Sequence, residues 1–139
     1  NKMGHNLNKY YGAKTLVINE SEMRYEMRNL NEKIEKLILK LQTKLKVKYL
    51  IVTRGTKGAI LCYKNSFFYS DAFALKAVDK VGAGDTFFSL ISYLLANKKN
   101  IDMSMFLSSL AAAHNVESIG NSKSFTKPIL LKTIEHILK

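Results

Sequence analysis

The chain has 139 residues, 47% of them hydrophobic, which predicts one folded domain with a real core and excludes a disordered chain. Its single cysteine, Cys62, excludes a disulfide framework and suits a reducing cytosol, so we expect a cytoplasmic protein. The sequence contains no run of about eighteen apolar residues, so we predict no membrane span.

The net charge of +11 is compatible with a nucleic-acid partner. However, 19 of the 22 basic residues are lysines, and they are spread along the whole chain. We therefore expect a solvated basic surface, and a basic nucleic-acid-binding domain stays open as the lesser alternative. An anionic phosphate substrate would also benefit from the positive charge.

Strands and one amphipathic helix are expected in the first half of the chain. Short apolar runs predict buried strands at 15–18 and 49–53, and two shorter strands at 59–63 and 66–69. Within 31–46, apolar residues recur at helical spacing, which predicts a helix with one face in the core. That face consists of Ile34, Leu37, Ile38, Leu41 and Leu45. Lys64 and Asn65 predict a turn between the last two strands.

The second half predicts helices. The apolar stretches 86–96 and 103–116 are long enough to be helices that pack together, and a polar loop is expected at 120–124. Pro128 can then open a last helix. Strand–helix–strand order followed by helices predicts an α/β fold with a largely parallel sheet.

A glycine-rich stretch precedes the helix expected at 86–96. Gly82-Ala83-Gly84-Asp85 is not a P-loop, which needs a G-K-[ST] ending, and it lacks the third glycine of the dinucleotide-binding fingerprint. Backbone N–H groups of such a loop can bind an anion at a helix N-terminus. Asp85 could then accept a proton from an attacking hydroxyl, or it could simply cap the helix.

Residues 79–87, D-K-V-G-A-G-D-T-F, closely resemble the D-T-x-G-A-G-D-x-F signature of the ribokinase-like (PfkB) carbohydrate kinases, with Lys80 in place of the usual threonine. The resemblance implies a ribokinase-like three-layer α/β sandwich with a mostly parallel sheet. It also implies ATP-dependent phosphoryl transfer to a hydroxyl of a sugar or sugar phosphate, with Asp85 as the catalytic base. The expected anion hole consists of Gly82, Ala83 and Gly84.

Two further motifs resemble family elements in the family's order. Asn19 and Glu22 fit its N-x-x-E element, which implies that they organise water-bound Mg²⁺. Thr53, Gly55 and Gly58 fit its T-x-G-x-x-G turn, which implies nucleotide binding. Taken alone, the first motif is typical of a capped turn and the second of a plain glycine turn.

A later segment, 115–124, resembles the part of the family that covers the adenine. The resemblance implies nucleotide contacts from Asn115 and Gly120. It further implies a site for a monovalent cation, K⁺ among them, between Ser124 and the pair Asp79 and Val81.

The beginning of the chain resembles a subset of these kinases linked to heptose and surface-sugar biosynthesis. That resemblance implies a link to a nucleotidyltransferase domain. A homodimer is a further predicted assembly. We expect residues 1–139 to be the C-terminal part of a kinase domain, without the N-terminal sugar-binding half and its lid. Such a piece alone should bind nucleotide weakly and transfer phosphate poorly.

A different class of function stays open beside the kinase. The same fold could act as a non-catalytic nucleotide-binding or regulatory module. Zinc and serine-hydrolase chemistry have no support, because the three histidines lie far apart in the sequence and no G-x-S-x-G motif occurs.

Overall fold

The computed structural model describes residues 6–71, 83–117 and 132, which fall into two compact units. The first unit comprises 6–54 and 59–69. The second comprises 55–58, 70–71 and the described residues from 83 onward.

The described strands form one sheet in the order β1-β2-β3-β4. They are β1 (Thr15–Asn19), β2 (Tyr49–Thr53), β3 (Ala59–Tyr63) and β4 (Ser66–Ser70). β1 and β2 pair in parallel, whereas β2 and β3 pair antiparallel. All four predicted strands are confirmed within one residue at each end. The predicted turn at Lys64 and Asn65 is also confirmed, since both have positive φ, as a tight hairpin turn requires.

Two helices belong to the first unit, α1 (Glu20–Glu26) and α2 (Ile34–Leu45). The amphipathic pattern predicted α2 well. All five predicted core residues of α2 are buried, in one cluster with alternate residues of the strands, such as Leu16, Leu50 and Ile60. α1 was not predicted as a helix, because its seven residues contain a single buried apolar side chain, Met23.

Helices α3 (Ala83–Ala96) and α4 (Ile101–Glu117) belong to the second unit and pack against each other, as predicted. Their shared core contains Leu90, Leu94, Leu107 and Ala111. α3 begins three residues before the apolar stretch does, so the end of the glycine-rich stretch is helical. The predicted loop at 120–124 and the last helix after Pro128 lie outside the described residues. None of the helices described is long and apolar enough to cross a membrane.

Candidate active site

The parallel strands β1 and β2 end side by side. They pair in register from Thr15 with Tyr49 to Asn19 with Thr53. In α/β folds, ligands bind outside the carboxyl ends of parallel strands. Two predicted site residues, Asn19 and Thr53, are therefore neighbours at the edge of the sheet where a ligand is expected.

Asn19 and Glu22 hold each other at the beginning of α1. The backbone N–H of Glu22 donates to Asn19 Oδ1 at 2.8 Å, and the backbone N–H of Asn19 donates to Glu22 Oε2 at 3.4 Å. This reciprocal pair is a capping box, the simpler of the two interpretations of the motif. Both residues are exposed. Because a carboxylate offers about four acceptor positions, capping leaves Glu22 able to bind a hydrated cation as well.

An ion-pair cluster lies directly beyond the last paired residues of β1 and β2. Glu20 follows Asn19 and Arg54 follows Thr53. Arg54 Nε donates to Glu20 Oε2 at 2.8 Å, while Arg24 Nε donates to Glu20 Oε1 at 2.9 Å. The three side chains are only 17–23% exposed. The cluster thus joins the segment after β1 to the segment after β2.

The environment of Glu20 favours its ionised form. Partial burial raises the pKa of this carboxyl, but hydrogen bonds from Arg54 and Arg24, together with their charges, outweigh burial and lower the pKa. Sequence reasoning missed this cluster. An acid directly after one parallel strand and an arginine directly after its neighbour were the signal that could have found it.

The glycine turn of the second unit has a clear backbone explanation. Residues Gly55–Lys57 form one turn of 3-10 helix, and the Gly58 amide donates to the Gly55 carbonyl at 3.1 Å. Both glycines have positive φ. A Cβ on Gly58 would collide with the Ser70 carbonyl oxygen, so only glycine fits there. The turn needs these glycines for its own geometry, and their predicted nucleotide contact remains a prediction.

Asp85 lies in the first turn of α3 and is exposed, whereas the next two residues, Thr86 and Phe87, are buried. Phe87 packs in the interior of the second unit. Ala83 and Gly84 are the first two residues of the helix, so their N–H groups are among the four that a helix leaves unpaired. The acid therefore stands at a positively polarised helix end.

Several predicted site residues lie outside the described residues: Asp79, Val81, Gly82, Gly120 and Ser124. Asn115 belongs to α4, but its side chain is also outside the described part. Among the described residues, no group of three or more His, Cys, Asp or Glu side chains could hold a metal ion.

Residues 5–128 match the pfkB family of carbohydrate kinases. The chain belongs to this family. The pfkB signature that the sequence predicted at 79–87 and the three motifs around it all fall inside the matched region.

Curated relatives share about a third of their aligned residues with this pfkB chain. The bifunctional protein HldE of Campylobacter jejuni is 32% identical over 136 residues, which cover 95% of this chain and 29% of that protein. HldE of Haemophilus influenzae is 33% identical over 122 residues, 86% of this chain and 26% of that protein. The chain thus spans less than a third of the length of these relatives.

Solved structures confirm the ribokinase-like fold. Ribokinase from Thermotoga maritima matches with a TM-score of 0.68 and 28% identity, over 88% of this chain and 42% of that one. Phosphofructokinase-2 from Escherichia coli, in complex with substrates and products, matches with a TM-score of 0.75 over 99% of this chain and 46% of that one. At 15% identity, the second match shows the fold alone.

Proposed function

We propose that this chain carries the phosphoryl-transfer machinery of an ATP-dependent carbohydrate kinase. The observation that carries the proposal is Asp85, which lies exposed in the first turn of α3 directly after the G-A-G stretch, within the region that matches the family. In this proposal, Asp85 accepts the proton of the attacking sugar hydroxyl.

The anion hole is assigned to the N–H groups of Gly82, Ala83 and Gly84. Unpaired N–H groups at a helix N-terminus stabilise the negative charge that develops on a transferred phosphoryl group. The start of α3 at Ala83 supports this role, because it leaves the N–H groups of Ala83 and Gly84 without partners in the helix. An exposed acid beside such donors is the arrangement that phosphoryl transfer needs.

The residues at the end of β1 and β2 suit ATP with Mg²⁺. Asn19 and Glu22 offer exposed oxygen atoms, which Mg²⁺ prefers, and Thr53 lies directly across the strand pair. When bound, Mg²⁺ neutralises charge on the nucleotide phosphates. Asn19 and Glu22 would orient its water ligands, and Thr53 with Gly55 and Gly58 would line the nucleotide. K⁺, assigned to Asp79, Val81 and Ser124, remains a prediction.

The substrate is proposed to be a sugar or a sugar phosphate. Membership of a carbohydrate kinase family supports the class. Similarity to proteins named HldE favours the heptose and surface-sugar subset, and a link to a nucleotidyltransferase domain remains a prediction on the same basis. The sugar pocket itself is assigned to residues outside this chain.

The decisive test is Asp85→Asn in the complete gene product. The isosteric amide cannot accept the hydroxyl proton, so we expect kcat to fall by about 10²- to 10⁴-fold while ATP still binds. Asp102→Asn is the matched control, since Asp102 is also an exposed acid in the first turn of a helix, α4. Phosphate transfer is measured as ADP release with a panel of sugars and sugar phosphates as acceptors.

Two outcomes would contradict the proposal. Near-normal turnover of Asp85→Asn rejects Asp85 as the base. A wild-type protein that binds ATP but phosphorylates no sugar in the panel supports the alternative, a non-catalytic nucleotide-binding module.

A further inference from the structure

We propose that Glu20 is a positioning residue that holds Arg54, and with it the nucleotide-side Thr53, in place beside the magnesium-side pair Asn19 and Glu22. This inference rests on the proposed function and assigns a role to Glu20, which occupies a variable position of the N-x-x-E element.

The ion pair continues the strand pairing where the backbone ladder stops. Asn19 and Thr53 are the last residues paired between β1 and β2, and Glu20 and Arg54 are the next residue on each side. Glu20 already belongs to α1, and Arg54 lies beyond the end of β2. The strand hydrogen bonds end here, and the 2.8 Å contact between Glu20 and Arg54 extends the connection between the two segments.

Glu20 is itself held firmly. Its second oxygen accepts from Arg24, one helical turn further along α1. Arg24 also donates through Nη1 to the Glu32 carbonyl at 2.9 Å, which ties α1 to the loop before α2. A carboxylate anchored in this way restricts the rotamers of Arg54 and therefore the position of the residue before it, Thr53.

The same contacts argue against a direct chemical role for Glu20. Each of its two oxygen atoms bonds an arginine, and the two guanidinium charges disfavour both proton uptake and cation binding by this carboxylate. The competing interpretation is that Arg54 binds a nucleotide phosphate directly, which is common for arginine. Pairing with Glu20 compensates its charge, and this favours the positioning role.

The test is a double-mutant cycle in the complete gene product with Glu20→Gln, Arg54→Gln and the combination. We expect each single variant to raise the KM for ATP about tenfold, with kcat and the KM for sugar nearly unchanged. The KM for ATP of the double variant should be no higher than that of either single variant. A general loss of stability would not produce this split. Arg54→Lys keeps the charge and should give a smaller rise, about threefold, because lysine lacks the planar fork.

Lys40→Gln is the matched control. It removes another ion pair of 2.8 Å from the same unit, between Lys40 of α2 and the Glu32 carboxylate. Its KM for ATP should stay at the wild-type value. If any Gln variant fails to fold, Arg54→Lys and the control still decide the question, because an unchanged KM in Arg54→Lys overturns the positioning role.

Other outcomes separate this inference from the proposed function. If Arg54→Gln raises the KM for ATP much more than Glu20→Gln does, and the two effects add in the double variant, the positioning role is overturned. Arg54 is then a phosphate ligand. If the wild-type protein binds ATP without transferring phosphate, only the proposed function is rejected. The double-mutant cycle is then measured with dissociation constants for ATP in place of KM. A wild type that does not bind ATP at all rejects both.

Discussion

At the scale of single residues, a structural role and a proposed chemical role coincide in the N-x-x-E element. Asn19 and Glu22 form a capping box, a role that by itself explains why an amide and an acid stand three residues apart. A sequence motif alone cannot separate this role from magnesium binding, because both use the same oxygen atoms. A suitable substitution can.

Glu22→Gln separates the two roles. Glutamine also completes a capping box, so we expect the melting temperature to change little. If Glu22 organises magnesium waters, losing its charge should raise the Mg²⁺ concentration for half-maximal activity about tenfold. Glu35→Gln, in the first turn of α2, is the matched control. Unchanged magnesium dependence in Glu22→Gln would reduce Glu22 to a cap.

At the scale of secondary-structure elements, the turn between β2 and β3 depends on close contact between backbones. Gly58 lies next to the Ser70 carbonyl with a φ of +85°, so a side chain meets both strain and collision. Gly12 has a similar φ of +75° but open space around its Cβ position. The two positions therefore distinguish backbone strain from steric collision.

We expect Gly12→Ala to lower the free energy of unfolding by about 1–2 kcal/mol, the cost of a left-handed conformation in a residue with a Cβ. Gly58→Ala should cost about 1–3 kcal/mol more, because the added methyl group also forces the Ser70 backbone away. Denaturant unfolding measures both. Equal losses for the two variants would contradict the close approach at Gly58.

At the scale of the whole molecule, buried and paired charges determine how stability depends on pH. The pKa of Glu20 is lowered in the fold, because its arginine partners outweigh the effect of burial. The pKa of Glu32 is also lowered, by its hydrogen bond from Lys40. In each case the unfolded chain binds more protons at acid pH than the folded chain does, so stability rises with pH in that range.

We therefore expect the free energy of unfolding to fall as pH drops from about 6 to about 3, through the ordinary pKa of a glutamate near 4.3 and then through the lowered pKa in the fold. Glu20→Gln should reduce the stability lost between these pH values by about 0.5–1 kcal/mol, after allowing for solvent screening of partly exposed charges. Denaturant titrations at several pH values measure it. An unchanged slope in Glu20→Gln would show that the ion pair with Arg54 contributes no stability in solution.

Much of this protein is determined by short stretches of its sequence. The apolar period of α2 and the β-branched runs of the strands predicted those elements, because each buries one face or both in a core. The D-K-V-G-A-G-D signature predicted the family, which the comparison over residues 5–128 confirmed. Such patterns are local, so they can be recognised without knowledge of the fold.

Only the tertiary structure decided which residues meet. It paired Asn19 with Thr53 and brought Glu20 to Arg54, 34 positions apart in the chain. It also explained Gly58 by the approach of Ser70. These contacts depend on strand register and on loop paths, and no local periodicity encodes either of them. The family could be predicted from the sequence. The ion-pair cluster of Glu20, Arg24 and Arg54, beside the predicted nucleotide-binding residue Thr53, became visible only in the fold.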